Sequence, residues 1–182
     1  VYKRQVLQIS EFEDNSWISM TNPTTEELFS VSSTYKIAPD DLRASLDEEE
    51  RSRIEVEEYY SLILVDIPTI EERNGKDWYG TIPLAIIICD KVIVTVCLED
   101  SPVLTAFMDG RVRNFYTHMK TRFIFQILYR NATLYLNYLR IIDRRSDAIE
   151  QKLHEATKNR ELIELLELEK SLVFFTTSLK SN

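Results

Sequence analysis

Carboxylates are the commonest reactive groups in this chain. Nine of them fall between Asp40 and Glu58: Asp40, Asp41, Asp47, Glu48, Glu49, Glu50, Glu55, Glu57 and Glu58, opposed there by Arg43, Arg51 and Arg53. Oxygen donors of this kind suit hard cations such as Mg2+ and Ca2+. The spacing matches no calcium-binding loop, and a solvated surface around a helix end accounts for the same residues equally well. A second group is Glu71 and Glu72 with Asp77, expected in a loop between two strands. Paired acids there can share a hydrated Mg2+ ion, but such residues are also ordinary in turns.

Other chemistry is thinner. His118 and His154 are far apart in sequence and read as polar surface residues. No Gly-x-Ser-x-Gly elbow is present to strain a nucleophile into reach. Three glycines in the whole chain leave no Gly-rich phosphate cradle. Cys89 and Cys97 lie in adjacent apolar runs and fit no zinc spacing, so they read as buried thiols. The sequence therefore predicts a protein that is not an enzyme.

The elements that must position these groups change character near Pro102. Before it, Gln5 to Glu11 and Ser16 to Met20 alternate about Glu13-Asp14-Asn15, which predicts a hairpin. Asn22-Pro23 is expected to open a helix with Asn22 as its cap, and Pro39 to open another. Arg53 to Val56, Tyr59 to Thr69, Trp78 to Cys89 and Val92 to Leu98 are rich in Ile, Val and Tyr and predict strands. Short joins make the last three an antiparallel meander. Ile86-Ile87-Ile88 is apolar on both faces and predicts a central strand covered on both sides.

After Pro102 the pattern is helical. Pro102 to Phe115 is expected to be one helix, and Thr121 to about Glu155 a much longer one. Gln126, Arg130, Thr133, Asn137, Arg140, Arg144, Asp147 and Gln151 form a polar stripe at helical spacing. Ile127, Leu128, Leu134, Tyr135, Tyr138, Ile141, Ile142, Ile149 and Leu153 are expected to form the helix's broad apolar face. Lys158-Asn159 is expected to turn the chain, and Leu162, Leu165, Leu166, Leu168, Leu172 and Val173 to form the partner's seam. The predicted fold class is α/β: a mixed, largely antiparallel sheet with covering helices (an αβα sandwich), then a long antiparallel helical hairpin. The expected division is 1–101 for the sandwich and 102–182 for the hairpin.

Composition sets outer bounds. Hydrophobic residues make up 44% and charged residues 29%, enough for a core. A net charge of −8 argues against nucleic acid as a partner and tolerates cations. The longest uncharged apolar run, Thr81 to Cys89, is far short of the roughly 18 residues a membrane span needs. The N-terminus carries no secretory signal pattern. With no initiator Met and a helical pattern running to its end, the chain is expected to be a soluble, excised piece.

Several stretches then resemble the CorA family of magnesium and divalent-metal transporters. They are Leu46-Asp47-Glu48-Glu49-Glu50-Arg51-Ser52-Arg53-Ile54-Glu55 followed by Tyr59-Tyr60-Ser61-Leu62-Ile63-Leu64-Val65; Trp17 with Asn22-Pro23-Thr24-Thr25-Glu26-Glu27-Leu28; and Thr81-Ile82-Pro83-Leu84-Ala85-Ile86-Ile87-Ile88 before Val92-Ile93-Val94-Thr95-Val96. Lys120-Thr121-Arg122-Phe123 and Leu168-Glu169-Lys170-Ser171-Leu172-Val173-Phe174-Phe175 continue the likeness in the same order. The resemblance implies a homopentamer whose cytoplasmic domains form a funnel above two membrane helices per subunit. It implies regulatory Mg2+ between neighbouring domains, with Co2+ or Ni2+ as other candidate ions. Metal at that boundary would favour the closed channel. Glu71, with Glu72 beside it, is the closest match to one half of the intersubunit site; the family's usual residue there is Asp, and the partner carboxylate comes from a stalk this chain lacks. The fragment is thus expected to bind metal weakly by itself and to meet a membrane only through missing C-terminal segments. It is placed at the cytoplasmic face of the cell membrane in the full-length protein. Two rivals stay open: a soluble scaffold or interaction protein using its helical hairpin, and a metal-dependent hydrolase using the acidic tract.

Overall fold

The structure is a computed structural model describing residues 11, 13–73, 75–155 and 159–182, with only the backbone course given for 154 and 155. The run of Ile and Val between Ile82 and Val96 decides its centre. Five strands, β1 (Trp17–Thr21), β2 (Arg53–Val56), β3 (Tyr60–Arg73), β4 (Lys76–Cys89) and β5 (Ile93–Cys97), form one sheet ordered β1-β5-β4-β3-β2. β1 runs parallel to β5, and every other pair is antiparallel. β4 is thus the central strand, as its apolar triplet predicts.

Period-two alternation sends the sheet's side chains into two cores. Ala85 and Ile87 of β4, with Leu62, Leu64, Val94 and Val96, meet Leu28, Val31, Ile37 and Leu42 on one face. Leu84 and Ile86, with Val65, Ile67 and Ile93, meet Val103, Leu104, Phe107, Phe123 and Ile127 on the other. Helices cover both faces, so the sandwich is present. The second core draws on residues from both sides of Pro102.

The covering helices start where their caps allow. α1 (Thr25–Tyr35) is capped by Thr24, not by Asn22. Thr24 and Glu27 form a reciprocal capping box that satisfies two otherwise orphaned amides. Asn22 has a left-handed backbone (φ 43°) just before it. α2 (Pro39–Arg43) begins at its proline and passes into a 3-10 turn at Ala44–Leu46. α3 (Pro102–Met108) is shorter than the expected helix to Phe115. Gly110, at φ +66°, ends it. Phe115 then folds back against Phe107 and Phe123, with ring centroids 5.1 and 4.7 Å away.

α4 (Lys120–Glu155) has 36 residues, about 54 Å of helix. α5 (Asn159–Ser181) runs antiparallel to it: Asn131 and Asn182 both bond the Asp66 carbonyl at 2.9 Å, while Arg145 and Glu164 both reach the β-strand residues Asp77 and Lys76. The pair lies along β3 and β4, which are longer than expected. Beyond the rest of the sheet, Asp66–Arg73 and Lys76–Pro83 continue as a two-stranded ribbon. No strand follows Pro102 among the described residues. Of the expected strand at Gln5 to Glu11 only Glu11 is described, as an exposed bend; its other residues and the turn residue Lys158 lie outside the described residues.

The face α5 buries differs from the expected one. Leu168, Ser171, Phe175 and Ser178 are buried, at steps of three and four. Leu162, Leu166, Leu172 and Val173 are exposed, Val173 by 59%, and Leu165 is half-buried. The small serines let the helix approach the ribbon closely, and Ser178 Oγ donates to Thr81 Oγ1 at 3.0 Å. On α4, Tyr135, Tyr138, Ile142 and Ile149 are buried as expected, but Ile141 is exposed.

Candidate metal centre at the tip of the β3–β4 ribbon

Glu71 and Glu72 fall within β3, not in a loop. The strand continues to Arg73, turns through Gly75 (φ +72°) and returns from Lys76. Register places Glu71 opposite Trp78 and Glu72 opposite Asp77. Successive strand residues point to opposite faces, so Glu71 and Glu72 cannot grip one ion together from the same face. Glu72 and Asp77, directly opposed across the two strands, share a face, where like charges repel.

Each face has its own electrostatics. Glu71 pairs with Arg73 at 2.8 Å, and the Arg73 guanidinium lies 3.7 Å from the centre of the Trp78 ring. Trp78 in turn packs edge-on against Phe174 of α5, 5.5 Å away. A Cβ on Gly80 would lie 2.5 Å from the Trp78 ring, so glycine there leaves room for the indole. Asp77 pairs with Arg145 of α4 at 2.8 Å, and Lys76 with Glu164 of α5 at 2.6 Å. Glu72 is exposed and has no ion-pair partner among the described residues. Glu72 therefore presents an exposed carboxylate on the face where Asp77 is already paired with Arg145.

The acidic tract is spread over separate elements. Asp41 accepts a 2.5 Å hydrogen bond from the Tyr60 hydroxyl; burial first, and then this carboxylate, push that phenol up to about 12. Glu50 and Glu55 both hold Arg53, each at 2.5 Å. Among the described residues, no three acids, histidines or cysteines converge into a metal cage. His118 is exposed beside the Tyr116 ring, and the His154 side chain lies outside the described residues. Cys89 and Cys97 are buried free thiols, each pushed up to about 11 chiefly by burial. A thiol so raised is a poor nucleophile near neutral pH.

The two ion pairs fixing the tip, Lys76–Glu164 and Asp77–Arg145, were not foreseen. They join residues 88 and 68 positions apart, and a single sequence carries no signal for such pairings.

With this geometry in view, comparison with known proteins is direct. Residues 12–182 match the family described as CorA-like Mg2+ transporter protein. The chain belongs to that family. It is 30% identical to the cobalt/magnesium transport protein CorA of Methanocaldococcus jannaschii, across 94% of this chain and 54% of that protein. The solved soluble domain of M. jannaschii CorA superposes with a TM-score of 0.79 at 26% identity, over 91% of this chain and 66% of that one. The complete M. jannaschii CorA magnesium transporter gives 0.80 at 26% identity, over 91% and 52%. Full-length CmaX shares the fold, with a TM-score of 0.66 at 10% identity over 90% of this chain and 51% of its own. This CorA-family chain thus spans about half the length of the complete relatives it matches. No helix among its described residues is long and apolar enough to cross a membrane.

Proposed function

We propose that this chain is the metal-sensing, cytoplasmic portion of a divalent-cation transporter that works as a homopentamer. Mg2+ is the first choice of ion, with Co2+ or Ni2+ as others, and the chain itself performs no catalysis. The observation that carries the reading is the joint agreement with M. jannaschii CorA, in sequence across 94% of the chain and in fold with its soluble domain. In this reading residues 1–101 form the sensing part and 102–182 the transmitting part. The ribbon tip holds the ion: Glu72 with Asp77 on one face, or Glu71 on the other, meets a carboxylate of a neighbouring subunit. Bringing those acids together without metal costs repulsion, and a hydrated Mg2+ offsets it, so bound ion stabilises the closed assembly by mass action. The tip's ion pairs to α4 and α5 supply the route by which its position reaches the helices.

Protease protection of the longer transporter, with and without Mg2+, tests the sensing site. Metal-dependent protection should be lost when Glu71, Glu72 and Asp77 are replaced by Ala together. Unchanged protection would remove the site and turn attention to Asp40 to Glu58. A second reading, an interaction protein, is favoured by the exposed apolar face of α5. Metal flux through proteoliposomes carrying the longer protein separates the two.

A further inference from the structure

One basic patch stands out in this acidic chain. Arg111, Arg113, Arg122 and Arg130 line an open cavity of about 340 Å³ with Val112, Phe125, Gln126 and Tyr129. Arg122, Phe125, Gln126, Tyr129 and Arg130 come from one side of α4, spaced so that they share a helix face. Residues 111–113 form the facing wall, from the loop after α3. That loop is held in place: the Gln126 amide donates to the Arg113 carbonyl at 3.1 Å, Val112 packs on the second core, and Phe115 sits in the aromatic cluster.

Its charges are unusually free. Arg111 is paired with Asp109, but Arg113, Arg122 and Arg130 have no carboxylate partner among the described residues, in a chain with 30 acids. The Arg130 Nε and the Gln126 Oε1 are buried with no hydrogen-bond partner among the described residues. Phe125 and Tyr129, one helical turn apart, are 66% and 75% exposed beside these guanidiniums. Guanidinium forks match phosphate oxygens in geometry and charge, and exposed aromatic faces stack on planar bases. The volume falls in the range of small-ligand sites. A long polyanion would feel the net charge of −8, whereas a small one is recognised within a Debye length of the arginines.

We infer that this cavity binds a nucleoside polyphosphate, its phosphates among Arg113, Arg122 and Arg130 and its base against Phe125 or Tyr129. The site is separate from the ribbon tip and does not rest on the metal-sensing reading.

Calorimetric titration of the chain with ATP, tripolyphosphate, adenosine and a short single-stranded oligonucleotide tests it. ATP should bind with one-to-one stoichiometry, tripolyphosphate more weakly and adenosine not measurably. Arg113→Gln with Arg122→Gln, both at exposed positions, should weaken ATP by about tenfold or more. Tyr129→Ala with Phe125→Ala should bring ATP down to the affinity of tripolyphosphate. Unchanged melting of the variants verifies that the fold is intact. No ATP binding, or ATP binding indifferent to the arginine pair, overturns the inference. Tripolyphosphate binding as tightly as ATP makes this a plain phosphate site and overturns the nucleoside part. An oligonucleotide binding more tightly than ATP makes the ligand a nucleic acid and overturns it as well.

Discussion

The sheet and α5 both carry runs of apolar residues, yet they treat them in opposite ways. In β4 every position from Ile82 to Ile87 is buried, each face filled by helices of the same chain. In α5 the buried line is Leu168, Ser171, Phe175 and Ser178, while Leu162, Ile163, Leu166, Val173 and Phe174 remain open to solvent. The difference lies in what meets each element. A central strand is enclosed on both faces, so its composition reports its burial. A helix lying on a narrow ribbon is enclosed along one line only, and there close approach favours serine over leucine.

The sharpest way to break this comparison is to empty each core in turn. Phe123→Ala in the base and Phe175→Ala in the helical pair each remove a fully buried ring, with an expected cost of about 3–5 kcal/mol. Phe175 packs edge-on against Tyr135 at 5.0 Å. Both losses should appear in one thermal transition. Two separate transitions in the Phe175 variant would show that α5 melts apart from the sheet.

Next in size, Ile142→Ala should cost about 2–5 kcal/mol, whereas Leu166→Ala should stay within about 0.5 kcal/mol. Equal shifts in chemical denaturation would mean that the exposed face of α5 is covered in solution.

This second pair also marks where the sequence was legible. The Ile86-Ile87-Ile88 triplet named the central strand, and Pro39 and Pro102 named two helix starts, because each rests on local sterics. The capping box was equally visible as Thr24-x-x-Glu27, but Asn22-Pro23 competed with it as a start signal. Glu71 and Glu72 read as loop because acids are rare in strands; pairing with Asp77 and Trp78 across the ribbon overrides that preference. The family likeness pointed to the end of β3 for an intersubunit ion, while the opposite facing of Glu71 and Glu72 follows from the strand register.

Alkaline titration should reach the base before the helices. The Cys89 and Cys97 thiols, near 9.0 when unperturbed, are raised to about 11, and the Tyr60 phenol from 10.0 to about 12. In each case the neutral form is favoured by the fold, so the stabilisation is whole below the unfolded value and is lost as pH climbs through the folded one. Stability should therefore fall between pH 9 and 12. Denaturation curves across that window check it, and Cys89→Ser with Cys97→Ser should flatten its lower part. Thiol alkylation of the native chain near pH 8 should be slow and limited by unfolding.

The smallest effect belongs to the clamps at the ribbon tip. Glu164 is paired, not idle, but its partner Lys76 and the carboxylate itself are each about one-third exposed. Glu164→Ala should cost no more than about 1 kcal/mol, and less in high salt. A cost that persists in molar salt would mean that the pair is buried more deeply than its exposure indicates.

β4 runs without interruption from Lys76, beside those clamps, to Ile87 in the first core. Those eleven steps are about 36 Å of extended chain. Mechanically it is a beam, with no loop along it to absorb a displacement. A push of an ångström or two on the tip is delivered to the middle of the sheet, and a change in the packing of the sheet swings the tip in return. An insertion at the Gly75 turn would leave that beam whole. The same insertion between Gly80 and Ala85 would cut the lever at its fulcrum.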